Sequence, residues 1–150
     1  MVQDMYNYIF DHLPYKSSFR FVDEISFLDA DKVIGHYTLK KDAFFYEDHF
    51  EGYPVTPGTI LTEIMAQIGL VVLGIYLVTG DAGAGKALPL FTSFEVSFHK
   101  MALPGQKITV ISRKDYFRFD KLKCHVEMQD ESGELIAKGV FSGIIRKMEK

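Results

Sequence analysis

The apolar positions of this chain change their period at Pro57 and change back before residue 90. Ahead of that point they are spaced for short extended segments. Residues 19–28 and 32–39 predict two strands joined by a turn at Asp29-Ala30-Asp31, behind a short helix over residues 1–13. Residues 42–56, with Gly52, Pro54 and scattered acids, predict a loop. From Pro57 the spacing is helical. Ile60, Leu61, Ile64, Met65, Ile68, Val71, Val72 and Ile75 are apolar around much of the circumference, so this helix is expected to be buried on most sides and to stop at Gly80. After a glycine-rich loop, strands are predicted over residues 88–98, 106–116, 119–129 and 135–145. The alternation is clearest where Leu122, Cys124, Val126 and Met128 oppose Lys121, Lys123, His125 and Glu127. Asp130-Glu131-Ser132-Gly133 predicts a turn. A strand pair, one long central helix and a strand meander make an α+β fold, with a mainly antiparallel sheet wrapped on the helix.

Composition narrows the class. At 150 residues the chain is expected to be one domain, 1–150, with its own core. The net charge of −3 gives no global attraction for nucleic acid, but its distribution is uneven. Residues 1–63 carry five Lys/Arg against eleven Asp/Glu. Residues 98–123 carry seven (Lys100, Lys107, Arg113, Lys114, Arg118, Lys121, Lys123) against Asp115 and Asp120. Most of these suit solvated strand faces; the sharper reading is a basic rim for an acidic partner. Cys124 is alone, which suits a reduced, cytoplasmic compartment, and its place in the alternating set predicts core packing. Residues 1–10 lack the basic start and apolar core of a signal peptide. Residues 60–78 are long enough to span a membrane, but Glu63 and Gln67 interrupt them, so a buried helix is expected and no span.

Candidate chemistry concentrates in His49-Phe50-Glu51-Gly52-Tyr53-Pro54-Val55-Thr56-Pro57-Gly58 and the following Glu63-Ile64-Met65-Ala66-Gln67. Thr56 suits an N-cap and Pro57 the first helical position, leaving unpaired N–H groups that can hold a developing negative charge. Glu63 stands among Ile60, Leu61, Ile64 and Met65, where an ionised, unpaired carboxylate costs free energy. Gln67 lies one turn further on the same face. An exposed polar stripe and a functional pair both fit these two residues. Other candidates are weaker. Residues 80–87 fit G-x-x-x-x-G-K, but Ala87 stands where a hydroxyl should hold magnesium and Pro89 blocks a following helix. His12, His36, His99 and His125 form no set with metal-ligand spacing, so no metal is expected. Ser93, Ser97 and Ser112 lack a nucleophile-elbow setting. Phe44, Phe45, Phe91, Phe94, Phe98 and Phe119 read chiefly as core, with a few able to wall a tunnel.

The segment resembles the signature of the hotdog-fold 3-hydroxyacyl-[acyl-carrier-protein] dehydratases of fatty-acid synthesis, His-Phe-Pro-Gly-x-Pro-x-x-Pro-Gly followed by Glu and Ala-Gln. His49, Phe50, Gly52, Pro54, Val55, Pro57, Gly58, Glu63, Ala66 and Gln67 fall in step. Leu13-Pro14 with Phe21-Val22-Asp23, and Phe98-His99-Lys100 with Pro104-Gly105-Gln106, are similar to further family segments, so nearly the whole chain is covered. Two positions depart: Glu51 replaces a proline and Tyr15 a histidine. The resemblance names the hotdog fold, which spacing alone does not.

The resemblance implies dehydration of a (3R)-3-hydroxyacyl thioester to the trans-2-enoyl thioester, in fatty-acid or a related acyl-chain synthesis such as aryl polyene or polyketide-like products. His49 would take the α-proton and Glu63 would protonate the leaving hydroxyl. The Gly58 N–H would polarise the thioester carbonyl, the Val55 carbonyl would orient His49, and Gln67 would position Glu63. No cofactor is implied beyond the phosphopantetheine of acyl carrier protein, which carries the substrate. The carrier is an acidic partner for Lys100, Arg113, Lys114, Arg118, Lys121 and Lys123. The family also implies an obligate homodimer in which His49 of one chain meets Glu63 of the other, with a trimer of dimers as a higher assembly. Glu47, Asp48 and Glu51 would weaken the base if they faced His49, so they are expected to point to solvent. The rival readings are a hotdog acyl thioesterase and a non-catalytic acyl-binding homologue.

Overall fold

The computed structural model describes residues 2–79 and 86–148, so the expected stop at Gly80 and most of the glycine-rich loop lie outside the described residues. In chain order the elements are α1 (Val2–Asp11), β1 (Glu24–Leu28), β2 (Lys32–Thr38), α2 (Gly58–Thr79), β3 (Lys86–Phe98), β4 (Lys107–Arg118), β5 (Lys121–Gln129) and β6 (Leu135–Met148). The strands form one antiparallel sheet in the order β1-β2-β4-β5-β6-β3. It wraps α2, which is the hotdog arrangement.

The alternation in β5 decides which face meets the helix. Leu122, Cys124, Val126 and Met128 are fully buried beneath α2, while Lys123, His125 and Glu127 face away. The helix sits close on the sheet because Gly69 has no side chain. A Cβ there would lie 2.9 Å from Val126 Cγ1 and 3.2 Å from Ser112 Cβ. Ser112 Oγ instead donates to the Gly69 carbonyl at 2.8 Å. Although α2 is long and apolar enough to cross a membrane, 78% of its apolar window is buried inside the protein.

Three local expectations fail, and the expected long helix carries an internal irregularity. The first strand begins at Glu24 rather than residue 19, because the Phe19 carbonyl and Phe21 N–H bond to a side chain instead of a neighbouring strand. The central helix is not uniform: residues Gln67–Val72 form a π-helical segment between two α-helical ones. Phe119 does not begin a strand. With Asp120 it makes a two-residue hairpin tip, φ +52° and +65°, which matches the twist of the flanking strands. Finally, most of the aromatics read as core are not in it. Phe44 and Phe119 are 82% and 94% exposed, and Phe91, Phe94 and Phe98 project from β3, a strand at the open edge of the sheet.

Candidate active site

His49 follows a short 3-10 turn, Phe44–Glu47, and sits in a loop closed on itself. Its N–H donates to Phe45 O at 3.0 Å, and its carbonyl accepts from Val55 N–H at 2.9 Å. The imidazole Nδ1 lies 3.0 Å from the Val55 carbonyl. A carbonyl only accepts, so Nδ1 carries the proton and the neutral ring keeps its lone pair on Nε2. Glu47, Asp48 and Glu51 are all exposed, as expected, and Phe50 stacks on the imidazole with ring centroids 4.1 Å apart.

The start of α2 differs from expectation in its cap. Thr56 makes no capping bond; its buried hydroxyl lies 2.6 Å from the Tyr46 hydroxyl, and its N–H donates to Ala102 O at 2.9 Å. Pro57 occupies the cap position, and its carbonyl accepts from Ile60 and Leu61 N–H at 3.0 and 3.1 Å. The Gly58 and Thr59 N–H groups therefore precede the first intrahelical bonds. A Cβ on Gly58 would come within 3.1 Å of the Phe98 ring, so glycine lets that ring pack on the helix start. His49, Val55, Thr56, Gly58 and Leu61 face residues 98–102 across a cleft of about 460 Å³.

Glu63 is not among the residues lining this cleft. At about 100° per residue, it lies roughly 140–160° around the helix from Gly58 and Leu61. On that other side Gln67, fully buried, is held by three hydrogen bonds. Its Oε1 accepts from Phe21 N–H at 2.8 Å, and its Nε2 donates to Phe19 O and to Glu63 Oε2, each at 2.9 Å. Burial pushes the Glu63 carboxyl above its ordinary value, opposed by the Gln67 bond. Tyr15, the departure from the usual histidine, sits nearby: burial, then the Glu63 charge, push its phenol up. The structure thus places His49, Val55 and Gly58 together and Glu63 with Gln67 apart from them. Sequence reasoning missed the Phe19–Phe21 backbone that anchors Gln67 and the cleft wall at Met101 and Ala102, and it named Phe98 only among six aromatics of which a few could wall a tunnel. A buried glutamine among apolar residues needs partners, and that was the available signal.

The basic window does not form one patch. Lys100 pairs with Asp130 and Glu134, Lys114 with Asp31, and Lys123 with Asp115. Arg113, Arg118 and Lys121 enter no ion pair among the described residues. Arg118 and Lys121 face each other beside the exposed Phe119 tip. No group of three or more His, Cys, Asp or Glu among the described residues is placed to hold a metal ion.

Residues 13–131 match the family described as a FabA-like domain. The chain is 29% identical over 126 residues to the 3-hydroxyacyl-[acyl-carrier-protein] dehydratase FabZ of Clostridium perfringens (strain SM101 / Type A), covering 81% of this chain and 87% of that one. It is 31% identical over 135 residues to the FabZ of Caldicellulosiruptor saccharolyticus, covering 85% and 88%. Among solved structures it resembles the dehydratase heterocomplex ApeI:P from Xenorhabdus doucetiae, with a TM-score of 0.78 over 95% of this chain and 91% of that one; at 13% identity this likeness speaks to the fold.

Proposed function

This chain belongs to the FabA-like domain family, and on that footing we propose that it dehydrates (3R)-3-hydroxyacyl thioesters carried on acyl carrier protein to trans-2-enoyl thioesters, in fatty-acid or related acyl-chain synthesis. The observation that carries the reading is the His49 imidazole. Its Nδ1–H is held by the Val55 carbonyl, beside the free start of α2 in one cleft. That tautomer leaves Nε2 as the base for the α-proton. The Gly58 N–H, which lines the same cleft, would polarise the thioester carbonyl as the enolate develops. Loss of the β-hydroxyl as water then needs a proton donor. Glu63 suits this because burial favours its protonated form.

The donor comes from a second copy of the chain, since Glu63 lies around the helix from its own cleft. The open edge of β3 supports a homodimer: Leu88, Leu90, Phe91 and Phe94 are left exposed on a strand that pairs with β6 on one side only. Antiparallel pairing of two β3 strands reverses the second sheet. The partner's Arg118 and Lys121 then come to the pole where this cleft opens. Those cations, with Arg113, suit the acidic carrier, while Lys114 and Lys123 are already paired. The substrate brings its own phosphopantetheine arm, and no further cofactor enters the reaction. We place the reaction in the cytoplasm, which suits the lone buried thiol of Cys124.

The test is incubation with a panel of 3-hydroxyacyl thioesters on carrier and on pantetheine. Appearance of the enoyl thioester with no free thiol supports the reading. Release of thiol without enoyl product makes the protein a thioesterase, and tight binding without turnover makes it an acyl-binding module.

A further inference from the structure

Lys100 reaches the cleft, yet its charge is taken up by carboxylates of the same chain. Its Nζ lies 2.5 Å from Asp130 Oδ2 and also contacts Glu134 Oε1. Asp130 is 7% exposed, and its other oxygen is occupied as well. Oδ1 accepts from Ser132 N–H at 2.9 Å, Ser132 Oγ at 3.0 Å and Glu134 N–H at 3.0 Å. One carboxylate therefore organises the β5–β6 turn with one oxygen and holds Lys100 with the other. Lys100 draws the Asp130 carboxyl down to about 2, so the pair stays ionised across the working pH range.

Lys100 belongs to the segment that walls the cleft opposite His49. The segment is tied at both sides. His99 and Lys100 N–H groups donate to Ile136 O at 2.7 and 3.3 Å, and Ala102 O accepts from Thr56 N–H at 2.9 Å. Between these ties Phe98 packs on Gly58 and Met101 is half exposed in the cleft. The side chain of Lys100 adds a third tie, to a turn that is itself fixed. We infer that Lys100 is a positioning residue for the acyl cleft: its ion pair with Asp130 holds residues 98–102 at the distance from His49 and Gly58 that the acyl thioester requires. Its charge is not a docking charge for the carrier. This rests on the dehydratase reading for the identity of the substrate.

The experiment compares wild type, Lys100→Met, Lys100→Arg and Asp130→Asn, each on a carrier-bound and a pantetheine-bound 3-hydroxyacyl thioester at low and high salt. A displaced wall weakens contacts made equally in ground and transition states, so KM should rise about tenfold in Lys100→Met with kcat largely kept. The rise should be equal on both substrates and insensitive to salt, and Lys100→Arg should restore most of it. The dissociation constant of a saturated acyl-pantetheine, measured in parallel, should weaken by the same factor. That arm reads the wall even if wild type fails to dehydrate, which would sink the dehydratase reading alone. If Lys100→Met does not fold, Asp130→Asn carries the same test, because its side-chain oxygen still serves the turn while the charge is gone. A defect confined to the carrier substrate and shrinking with salt would make Lys100 a docking residue. A fall in kcat at unchanged KM would mean only that less enzyme is folded. Either result, or no change, overturns the inference.

Discussion

Replacing Gln67 by leucine removes three hydrogen bonds at once while nearly conserving volume. The Phe21 N–H loses its acceptor, and the Phe19 carbonyl and Glu63 Oε2 lose their donor. These losses are unequal. Phe21 is buried, so its orphaned N–H bears the full desolvation cost of about 1–3 kcal/mol. Phe19 and Glu63 have access to water and recover much of theirs. Leucine gains roughly 1 kcal/mol from burying apolar surface in place of an amide. The polar loss still wins, and we expect Gln67→Leu to be destabilised by about 1–3 kcal/mol. The same change acts on the chemistry. The Gln67 bond is what opposes burial at Glu63, so its loss should move that carboxyl higher still. Urea denaturation at matched protomer concentration reads the first effect, and the pH–rate profile reads the second. The limb set by a protonated Glu63 should shift to higher pH. Unchanged stability together with an unmoved limb would refute the reasoning that Gln67 both anchors residues 19–21 and tunes Glu63.

His49→Ala should cost about 10²–10⁴-fold in kcat on every substrate, with folding intact by circular dichroism; turnover near wild type would remove His49 as the base. Glu63→Gln should lose most activity yet gain stability at neutral pH. A carboxyl whose value is raised by burial contributes stability below the ordinary carboxylate range and loses it as pH rises through its own value. The advantage of glutamine should thus be present at pH 7 and vanish below about pH 4 in paired melts; a flat difference would contradict it. Lys121→Glu should slow the carrier-bound substrate more than the pantetheine form, with the defect shrinking as salt rises. Equal slowing on both would point to damage of the hairpin.

The elements that came through from sequence are those set by period. The alternating residues of β5 lie beneath α2 as their pattern required, and the long apolar helix is the core helix. Signals that depend on a tertiary partner did not come through. Residues 19–23 alternate like a strand, but a glutamine 46 residues away takes their backbone groups. Phe119 is strand-like by type, and no glycine or asparagine announces the turn that exposes it. Thr56 has the chemistry of a cap, but Tyr46 captures its hydroxyl. Seven cations crowded in sequence suited solvated strand faces for the most part, with one basic rim as the sharper reading. The strands carry Lys107 and Arg118 to opposite ends of β4, and acids on other elements neutralise three of the seven. At the site, the His49 ring contacts the Val55 carbonyl and Gln67 bonds Glu63, and both are short-range contacts within one loop or one helix turn. Which aromatic walls the cleft, and that Met101 and Ala102 join Phe98 there, was invisible, because only the fold brings residues 98–102 opposite His49.

The central claim is that one site draws its base and its acid from two chains. Mixing unfolded His49→Ala and Glu63→Gln proteins in equal amounts and refolding them together tests it. With random pairing about half the dimers are mixed. Each mixed dimer has one intact site of two, so activity should return to roughly a quarter of wild type, whereas each protein refolded alone stays inactive. If mass measurement shows that mixed dimers have formed and activity does not return, every site carries a lesion, His49 and Glu63 act within one chain, and the shared-site account is contradicted.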